Sequence, residues 1–197
     1  MRIGFDFDNT IVSYDKVFHA AALELGLIPA ELPVSKLHVR DHLRRNGQEE
    51  AWIVLQGDVY GPRMRGAEAY PGALACFELC RARGVPVSIV SHRTKHPFRG
   101  PQHDLHASAR DWIEHHGFYA KSGFSAADVF FELSKEAKRD RVAALGCSVF
   151  IDDLPEFLNM DGFPAGMQKI LFDPDSLHTQ TTLRRVSSWE EITAFLG

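Results

Sequence analysis

The sequence predicts an α/β fold in which a parallel sheet is covered by helices on both faces. Two observations support this prediction. Five apolar runs of strand length are rich in Val, Ile and Phe, as expected for strands buried between two layers of helices. Helical patterns separate most of these runs, so strand and helix alternate as they do in right-handed βαβ crossovers. The five predicted strands are residues 2–7, 85–91, 128–133, 147–152 and 168–173.

The stretch between the first two strands interrupts this alternation and predicts a helical insertion. It carries no strand signal, and its three helical patterns are separated by turns that contain Gly and Pro. We therefore expect a small α-helical cap at residues 12–68, with residues 1–11 and 69–197 forming the α/β core. The three helical patterns of the cap are residues 18–25, 37–43 and 52–59.

Four further helical patterns accompany the core strands. Residues 71–84 lead from the cap to the second strand, residues 105–117 follow that strand, and residues 135–146 follow the third. Each of these patterns ends in Gly, which is typical of helix C-termini. The last helix is predicted to begin at the serine pair before Trp189, because Ser187 and Glu190 have the spacing of a capping box.

Composition and charge restrict the classes of function. The chain has 197 residues, of which 45% are hydrophobic, so it has room for one substantial core. A formal net charge of −4 and the absence of a long basic run argue against nucleic acid or an anionic membrane as a partner and favour small molecules. No apolar stretch approaches the roughly 20 residues that span a bilayer, and the start MRIGFDFDNT lacks a signal peptide's apolar segment, so we expect a cytoplasmic protein. Cys76, Cys80 and Cys147 lie in apolar contexts and are expected to be reduced core residues.

Polar side chains follow several predicted strands at the point where each strand ends. Asp6 and Asp8 end the first strand, Ser91 ends the second, and Asp152 and Asp153 end the fourth. Because ligands of open parallel sheets bind outside the carboxyl ends of the strands, these side chains are expected to converge. Buried carboxylates that converge need a cation between them, and oxygen ligands of this kind suit Mg²⁺, which commonly also binds phosphate oxygens. The pattern therefore predicts a magnesium site and a phosphorylated substrate.

A lysine on the helix after the third strand is expected to join this group. Lys138 shares a helical stripe with Val142 and Leu145, so its stem faces the sheet. Lys135 lies about one turn earlier on the same face and is the alternative.

Four segments together resemble the motifs of the haloacid dehalogenase (HAD) superfamily, in the right order. FDFDNT matches the first motif, DxDxT; VSIVSH matches the second, a hydrophobic strand that ends in Ser or Thr; Lys138 matches the third, and FIDDLPEF matches the acidic fourth. The resemblance implies a Rossmann-like, three-layer α/β/α fold with a variable cap, here inserted between the first and second motifs. It also implies a phosphatase, because Asp8 is present whereas the dehalogenases of the family lack this second acid.

Carried over onto this chain, the resemblance implies a role for each motif residue. Asp6 would be the nucleophile that forms an aspartyl phosphate, and Asp8 the general acid and base. Thr10 and Ser91 would bind phosphoryl oxygens, and Lys138 would neutralise charge on the nucleophile and the transferring group.

The same resemblance implies a Mg²⁺ site. The metal would be bound by Asp6, the backbone carbonyl of Asp8, and Asp152, with Asp153 as a further candidate ligand. Whether Asp152 or Asp153 is the direct ligand stays open, because Asp153 is also placed to cap the following helix.

Three neighbouring residues are further candidates for contact with the phosphate or the substrate: Asn9, His92 and Arg93. His92 and Arg93 open a segment, residues 92–106, that is rich in His, Arg and Lys and follows a strand at the expected catalytic edge. This composition is equally typical of an anion-binding loop and of a solvated loop.

Two classes of function follow. The first is a Mg²⁺-dependent phosphatase that acts on a small phosphorylated metabolite; phosphomutases and other phosphotransferases share its motifs. The second is a catalytically silent relative that binds a ligand or partner. No pattern in the sequence predicts the identity of the substrate or the oligomeric state.

Overall fold

The computed structural model describes residues 1–196 and contains eight strands and nine α-helices in that range. The strands are β1 (Ile3–Phe5), β2 (Val12–Ser13), β3 (Glu68–Ala69), β4 (Val87–His92), β5 (Val129–Glu132), β6 (Val149–Asp152), β7 (Gln168–Phe172) and β8 (Arg184–Val186). The helices are α1 (Asp15–Glu24), α2 (Lys36–Arg45), α3 (Glu49–Tyr60), α4 (Ala73–Ala82), α5 (Leu105–His115), α6 (Phe118–Ser122), α7 (Lys135–Ala144), α8 (Pro155–Leu158) and α9 (Trp189–Leu196).

Six strands form one parallel sheet in the order β5-β4-β1-β6-β7-β8, which confirms the predicted α/β fold. All five predicted strands are present. The sixth, β8, was missed because only Val186 of its three residues is buried. The remaining strands, β2 and β3, form a separate two-stranded sheet.

Alternate residues of the central strands pack against different helix layers. On one face, the Phe5 ring packs against Phe77 of α4 and Trp189 of α9, with centroid distances of 5.0 and 5.2 Å. On the other face, Phe150 of β6 packs against Phe157 of α8. A Cβ atom on Gly4 would lie 2.5 Å from the Phe150 ring, so this position of β1 accommodates only glycine.

The strand order places a topological switch point at the middle of the sheet. From β1 the chain builds β4 and β5 on one side, whereas β6, β7 and β8 extend the other side. The loops that leave the carboxyl ends of β1 and β6 therefore diverge and leave a crevice between them, which is where ligands bind in such sheets. Asp6 follows β1, and Asp152 is the last residue of β6.

The start of α9 differs from the prediction by one residue. The Ser188 hydroxyl accepts a hydrogen bond from the backbone N–H of Glu191, while the Glu191 carboxylate accepts from the backbone N–H of Ser187. The predicted pairing of Ser187 with Glu190 was therefore wrong. Both serines have the residue type that the motif requires, and the burial of Trp189 and Ile192 selects the register.

Contacts divide the chain into two compact units. The first contains the parallel sheet and comprises Met1–Val12, Ala69–Arg93 and the part from His116 onward; the second comprises Ser13–Glu68 and Thr94–His115.

The second unit is helical. It contains α1, α2, α3 and α5, and its core includes the Phe18 and Trp52 rings at 5.0 Å. The Trp112 indole of α5 donates to the Ala67 carbonyl at 2.8 Å, which fixes α5 within this unit. A cap domain at residues 12–68 stays a prediction. The observed helical unit also contains the segment Thr94–His115, which the prediction did not include.

Cys76, Cys80 and Cys147 are buried free thiols, as expected. No helix between residues 1 and 196 has both the length and the apolar character needed to cross a bilayer.

Candidate active site

A buried lysine joins two carboxylates at the switch point of the sheet. The Lys138 ammonium lies 2.5 Å from Asp6 Oδ1 and 2.5 Å from Asp152 Oδ2. The Ser91 hydroxyl donates to the same Asp6 oxygen at 2.8 Å. Asp6, Ser91, Lys138 and Asp152 come from four different elements or their ends and are all at most 4% exposed. The sheet thus brings four predicted site residues into one hydrogen-bonded cluster.

Helix α7 explains why Lys138 reaches this cluster and Lys135 does not. Ser134 caps α7 by accepting a hydrogen bond from the Ala137 N–H, which places Lys138 on the buried face with Val142. The Lys138 ammonium also lies 4.2 Å from the centre of the Phe157 ring, a favourable cation–π distance. Lys135 forms an ion pair with Glu156 at 3.2 Å and is partly exposed.

Asp8 has a different cationic partner. Arg93 Nη1 donates to both Asp8 oxygens, at 2.6 and 2.9 Å, and the Arg93 side chain is 3% exposed. The guanidinium lies over the Phe7 ring, and the Arg93 N–H donates to the Glu132 carbonyl of β5. Arg93, which we expected to contact substrate, is therefore bound to a predicted catalytic carboxylate.

Three carboxylates are close enough to share a metal ion. One oxygen each from Asp6, Asp152 and Asp153 lies within 4.8 Å of the others. Asp6 accepts the hydrogen bonds from Ser91 and Lys138 on the same oxygen, Oδ1. The donor set consists of carboxylate oxygens alone, which suits a hard cation such as Mg²⁺.

Asp152 and Asp153 are held differently. Asp152 Oδ1 accepts from the Leu154 N–H at 2.9 Å, so Asp152 makes the backbone contact before α8 that the sequence suggested for Asp153. Asp153 Oδ2 instead accepts from the Asn9 side-chain amide at 3.2 Å.

A small pocket opens onto these residues. Its volume is about 70 Å³, far below the roughly 300–1,000 Å³ of pockets that enclose a drug-sized ligand, so it admits only a small polar group. The lining residues are Asp6, Asp8, Asn9, Ser91, His92, Lys135, Lys138, Asp153, Leu154 and Phe157.

Three predicted site residues, Thr10, Arg93 and Asp152, are buried beside or behind this lining. Thr10 is fully buried, and within residues 1–196 its hydroxyl has no hydrogen-bond partner. Leu154 and Phe157 were missed as lining residues. The apolar positions of FIDDLPEF indicate a core, and no sequence signal distinguishes a core residue from the wall of a pocket.

Burial and neighbouring charges shift the pKa values of the cluster. Burial raises the pKa of Asp6 from 3.8 to about 7, with Lys138 opposing this shift and Asp152 and Asp8 adding to it. Burial also raises the pKa of Asp152, and Lys138 again acts in the opposite direction. For Lys138, burial alone would lower the pKa, but Asp152 and Asp6 outweigh it and raise the pKa above its usual value. Burial lowers the pKa of His92, which favours the neutral imidazole at neutral pH.

The raised pKa of Asp6 predicts a pH-dependent effect of Asp6→Asn on the stability of the metal-free protein. Between pH 4 and 7 the folded protein retains a proton on Asp6 that the unfolded chain has released, so the wild type loses stability as pH rises. Asparagine cannot ionise, so the free energy of unfolding of the variant should rise relative to that of the wild type by roughly 2–4 kcal/mol between pH 4 and 7. Above about pH 8 this difference should not increase further. Urea unfolding of both proteins in EDTA measures the difference. A difference that does not change with pH would contradict the shift.

Comparison with solved structures identifies the fold. The chain is similar to protein tyrosine kinase A of Mycobacterium tuberculosis, with a TM-score of 0.61 and 16% identity over 99% of this chain and 97% of that one. It is also similar to a HAD family hydrolase from Deinococcus radiodurans with bound phosphate and sodium, with a TM-score of 0.57 and 16% identity over 99% and 94%. The chain has a HAD-like fold. YfnB from Bacillus subtilis, a HAD-type chain bound to magnesium, is a third such structure, with a TM-score of 0.54 and 14% identity over 100% and 98%.

Other comparisons add no family. A scan against protein-family models and a search among curated proteins both find no match. At identities of 16% or less the likeness concerns the HAD-like fold alone.

Proposed function

We propose that this protein is a Mg²⁺-dependent phosphatase that hydrolyses a small phosphorylated metabolite through an aspartyl phosphate on Asp6. The observation that carries the proposal is the contact of the Asp6 carboxylate with Lys138 and Ser91 at the switch point of a HAD-like sheet. A carboxylate that lies on a pocket beside a hydroxyl and an ammonium is placed to attack phosphorus while both donors stabilise the charge that develops.

Asp6 and Asp8 take different roles in this proposal because their partners differ. Asp6 attacks the phosphorus, and Asp8 transfers a proton to the leaving oxygen of the substrate. Asp8 then accepts a proton from the water that attacks the aspartyl phosphate, which releases inorganic phosphate and regenerates Asp6. Arg93 contacts Asp8 whereas Lys138 contacts Asp6, so the two carboxylates have separate cationic partners.

Asp6, Asp152 and Asp153 would hold the metal, with the Asp8 carbonyl as a further ligand. Bound Mg²⁺ supplies positive charge against these carboxylates and the transferring phosphoryl group. The bound magnesium of YfnB and the bound phosphate of the Deinococcus hydrolase support this assignment by analogy of fold.

The small size of the pocket supports a substrate that inserts only its phosphoryl group into the pocket. Because the pocket measures about 70 Å³, the remainder of the substrate must be recognised outside it. We propose that the helices of residues 12–68 supply that recognition as a cap. The net charge of −4 disfavours nucleic acid and membrane partners.

Phosphoryl transfer to a second substrate is the alternative that a specific observation supports. Protein tyrosine kinase A shares this fold, and the same aspartyl phosphate can pass its phosphoryl group to a hydroxyl in place of water. The two outcomes differ in the product: inorganic phosphate for the phosphatase, and a phosphorylated acceptor for the transferase.

Phosphate release tests the proposal. Wild-type protein should release phosphate from at least one member of a broad panel of phosphometabolites with Mg²⁺, and EDTA should abolish this release. Asp6→Asn should lower the rate by about 1,000-fold or more, because it removes the nucleophile. Asp140→Asn, which changes an exposed acid of α7, should leave the rate unchanged. Full activity of Asp6→Asn, or no release by the wild type above that variant, would refute a phosphatase.

A further inference from the structure

The Asn9 side chain connects the loop after β1 to Asp153, which follows β6. Its side-chain amide donates to Asp153 Oδ2 at 3.2 Å, and both residues line the pocket. Asp153 also belongs to the group of three carboxylates that are close enough to share a metal. The hydrogen bond therefore joins a pocket residue that carries no charge to a candidate metal ligand.

The backbone at Asn9 has an unusual conformation. Asn9 has a φ of 57°, in the left-handed region, where Asn is tolerated but most other side chains are strained. Within residues 1–196 only one other non-glycine residue, Ser176, has a positive φ. The unusual conformation lies in the turn after Asp8, and Asp8 and Asn9 both line the pocket.

The Asn9 amide that donates to Asp153 is uncharged, unlike the ammonium that donates to Asp6 and Asp152. Asp6 and Asp152 each accept from the Lys138 ammonium, whose positive charge competes with a metal ion for the same oxygens. An amide orients a carboxylate through a hydrogen bond but leaves its negative charge available to a cation. The Asn9 contact thus orients Asp153 without adding positive charge beside it.

We propose that Asn9 is a positioning residue that orients Asp153 as a Mg²⁺ ligand and thereby sets the affinity of the site for the metal. This inference rests on the proposed metal-dependent function. Hydrogen-bond partners of metal ligands fix the ligand orientation, and their loss typically weakens metal binding by about 10- to 100-fold.

Two substitutions separate the amide from the backbone conformation. Asn9→Gly removes the amide but adopts positive φ freely, whereas Asn9→Ala removes the amide and strains the backbone. Calorimetric titration of the metal-free, full-length protein with MgCl₂ should show a Kd about 10- to 100-fold higher for both variants. Asn9→Ala should lower the midpoint of thermal unfolding in EDTA more than Asn9→Gly does, because only alanine is strained at the positive φ of this position. Asn159→Gly, a matched change at an exposed position after α8, should keep the wild-type Kd.

A double-mutant cycle tests whether Asn9 acts through Asp153. In an Asp153→Asn background, Asn9→Gly should have no further effect on the Kd, because its target is already lost. A wild-type Kd in Asn9→Gly, a weakening confined to Asn9→Ala, or an equal weakening in the Asp153→Asn background would each overturn the positioning role. A wild-type protein that binds no Mg²⁺ would instead refute the proposed metal dependence, and the titration of the wild type alone reveals it.

Discussion

Lys138→Met is expected to cause the largest loss of stability of any single substitution in the candidate active site. Methionine has similar length and fits the apolar surroundings of the stem, but it leaves Asp6 and Asp152 buried without their shared ammonium. Breaking a buried ion pair on one side typically costs about 3–5 kcal/mol of stability. We expect a loss of this size at pH 8, together with a decrease in phosphate release of about 1,000-fold or more.

The loss should depend on pH in a defined direction. Lys138 opposes the upward shift of both carboxyl pKa values, so its removal raises them further, and the folded variant retains protons that the unfolded chain releases. The destabilisation should therefore be small at pH 4 and should increase as pH rises toward 8. Urea unfolding of metal-free protein at several pH values measures this dependence.

Lys135→Met is the matched control on the same helix. Lys135 is partly exposed and paired with the exposed Glu156, so its removal should cost no more than about 1 kcal/mol at any pH. The comparison also tests which of the two lysines is the lysine of the site, since the sequence offered both as candidates. Equal effects of Lys135→Met and Lys138→Met on stability and activity would contradict the central position of Lys138.

The sheet and the convergence of its acids were predictable because each depends on a local pattern. Apolar runs without alternation identify buried parallel strands, and polar residues at their ends identify the edge where ligands bind. Lys138 was placed by helical periodicity, since a lysine on a buried stripe must find anionic partners. By contrast, β8 has one buried residue and carries almost no such pattern.

The partners of individual carboxylates were not predictable, because they depend on side-chain geometry across distant elements. Arg93 and Asp8 are 85 residues apart, and Asn9 and Asp153 are 144 apart. A basic residue after a strand indicates only that an anion is near, which fits a substrate and a carboxylate equally well. The grouping of Thr94–His115 with the helical unit likewise depends on packing that residue types alone do not encode.

Arg93→Gln is expected to cause the second-largest loss of stability, and it distinguishes the two anions that Arg93 could contact, Asp8 and the substrate. Glutamine removes the charge that balances Asp8, whose side chain is 21% exposed. The free energy of unfolding should fall by about 2–3 kcal/mol, less than for a fully buried pair because solvent reaches Asp8. Loss of Asp8 orientation should lower kcat, whereas loss of a substrate contact alone would raise KM and leave kcat unchanged.

A second substitution, at Asp8, shows whether Arg93 positions Asp8 or contacts the substrate. If the destabilisation arises from the uncompensated Asp8 carboxylate, Arg93→Gln combined with Asp8→Asn should recover most of the lost stability, since both partners are then neutral amides. The double variant should remain inactive, because it lacks the proposed acid and base. Arg141→Gln, at an arginine that pairs with Glu132 and is 42% exposed, serves as the control and should change stability by no more than about 1 kcal/mol. Additive losses in the double variant, with unchanged kcat in Arg93→Gln, would show that Arg93 acts on the substrate and does not position Asp8.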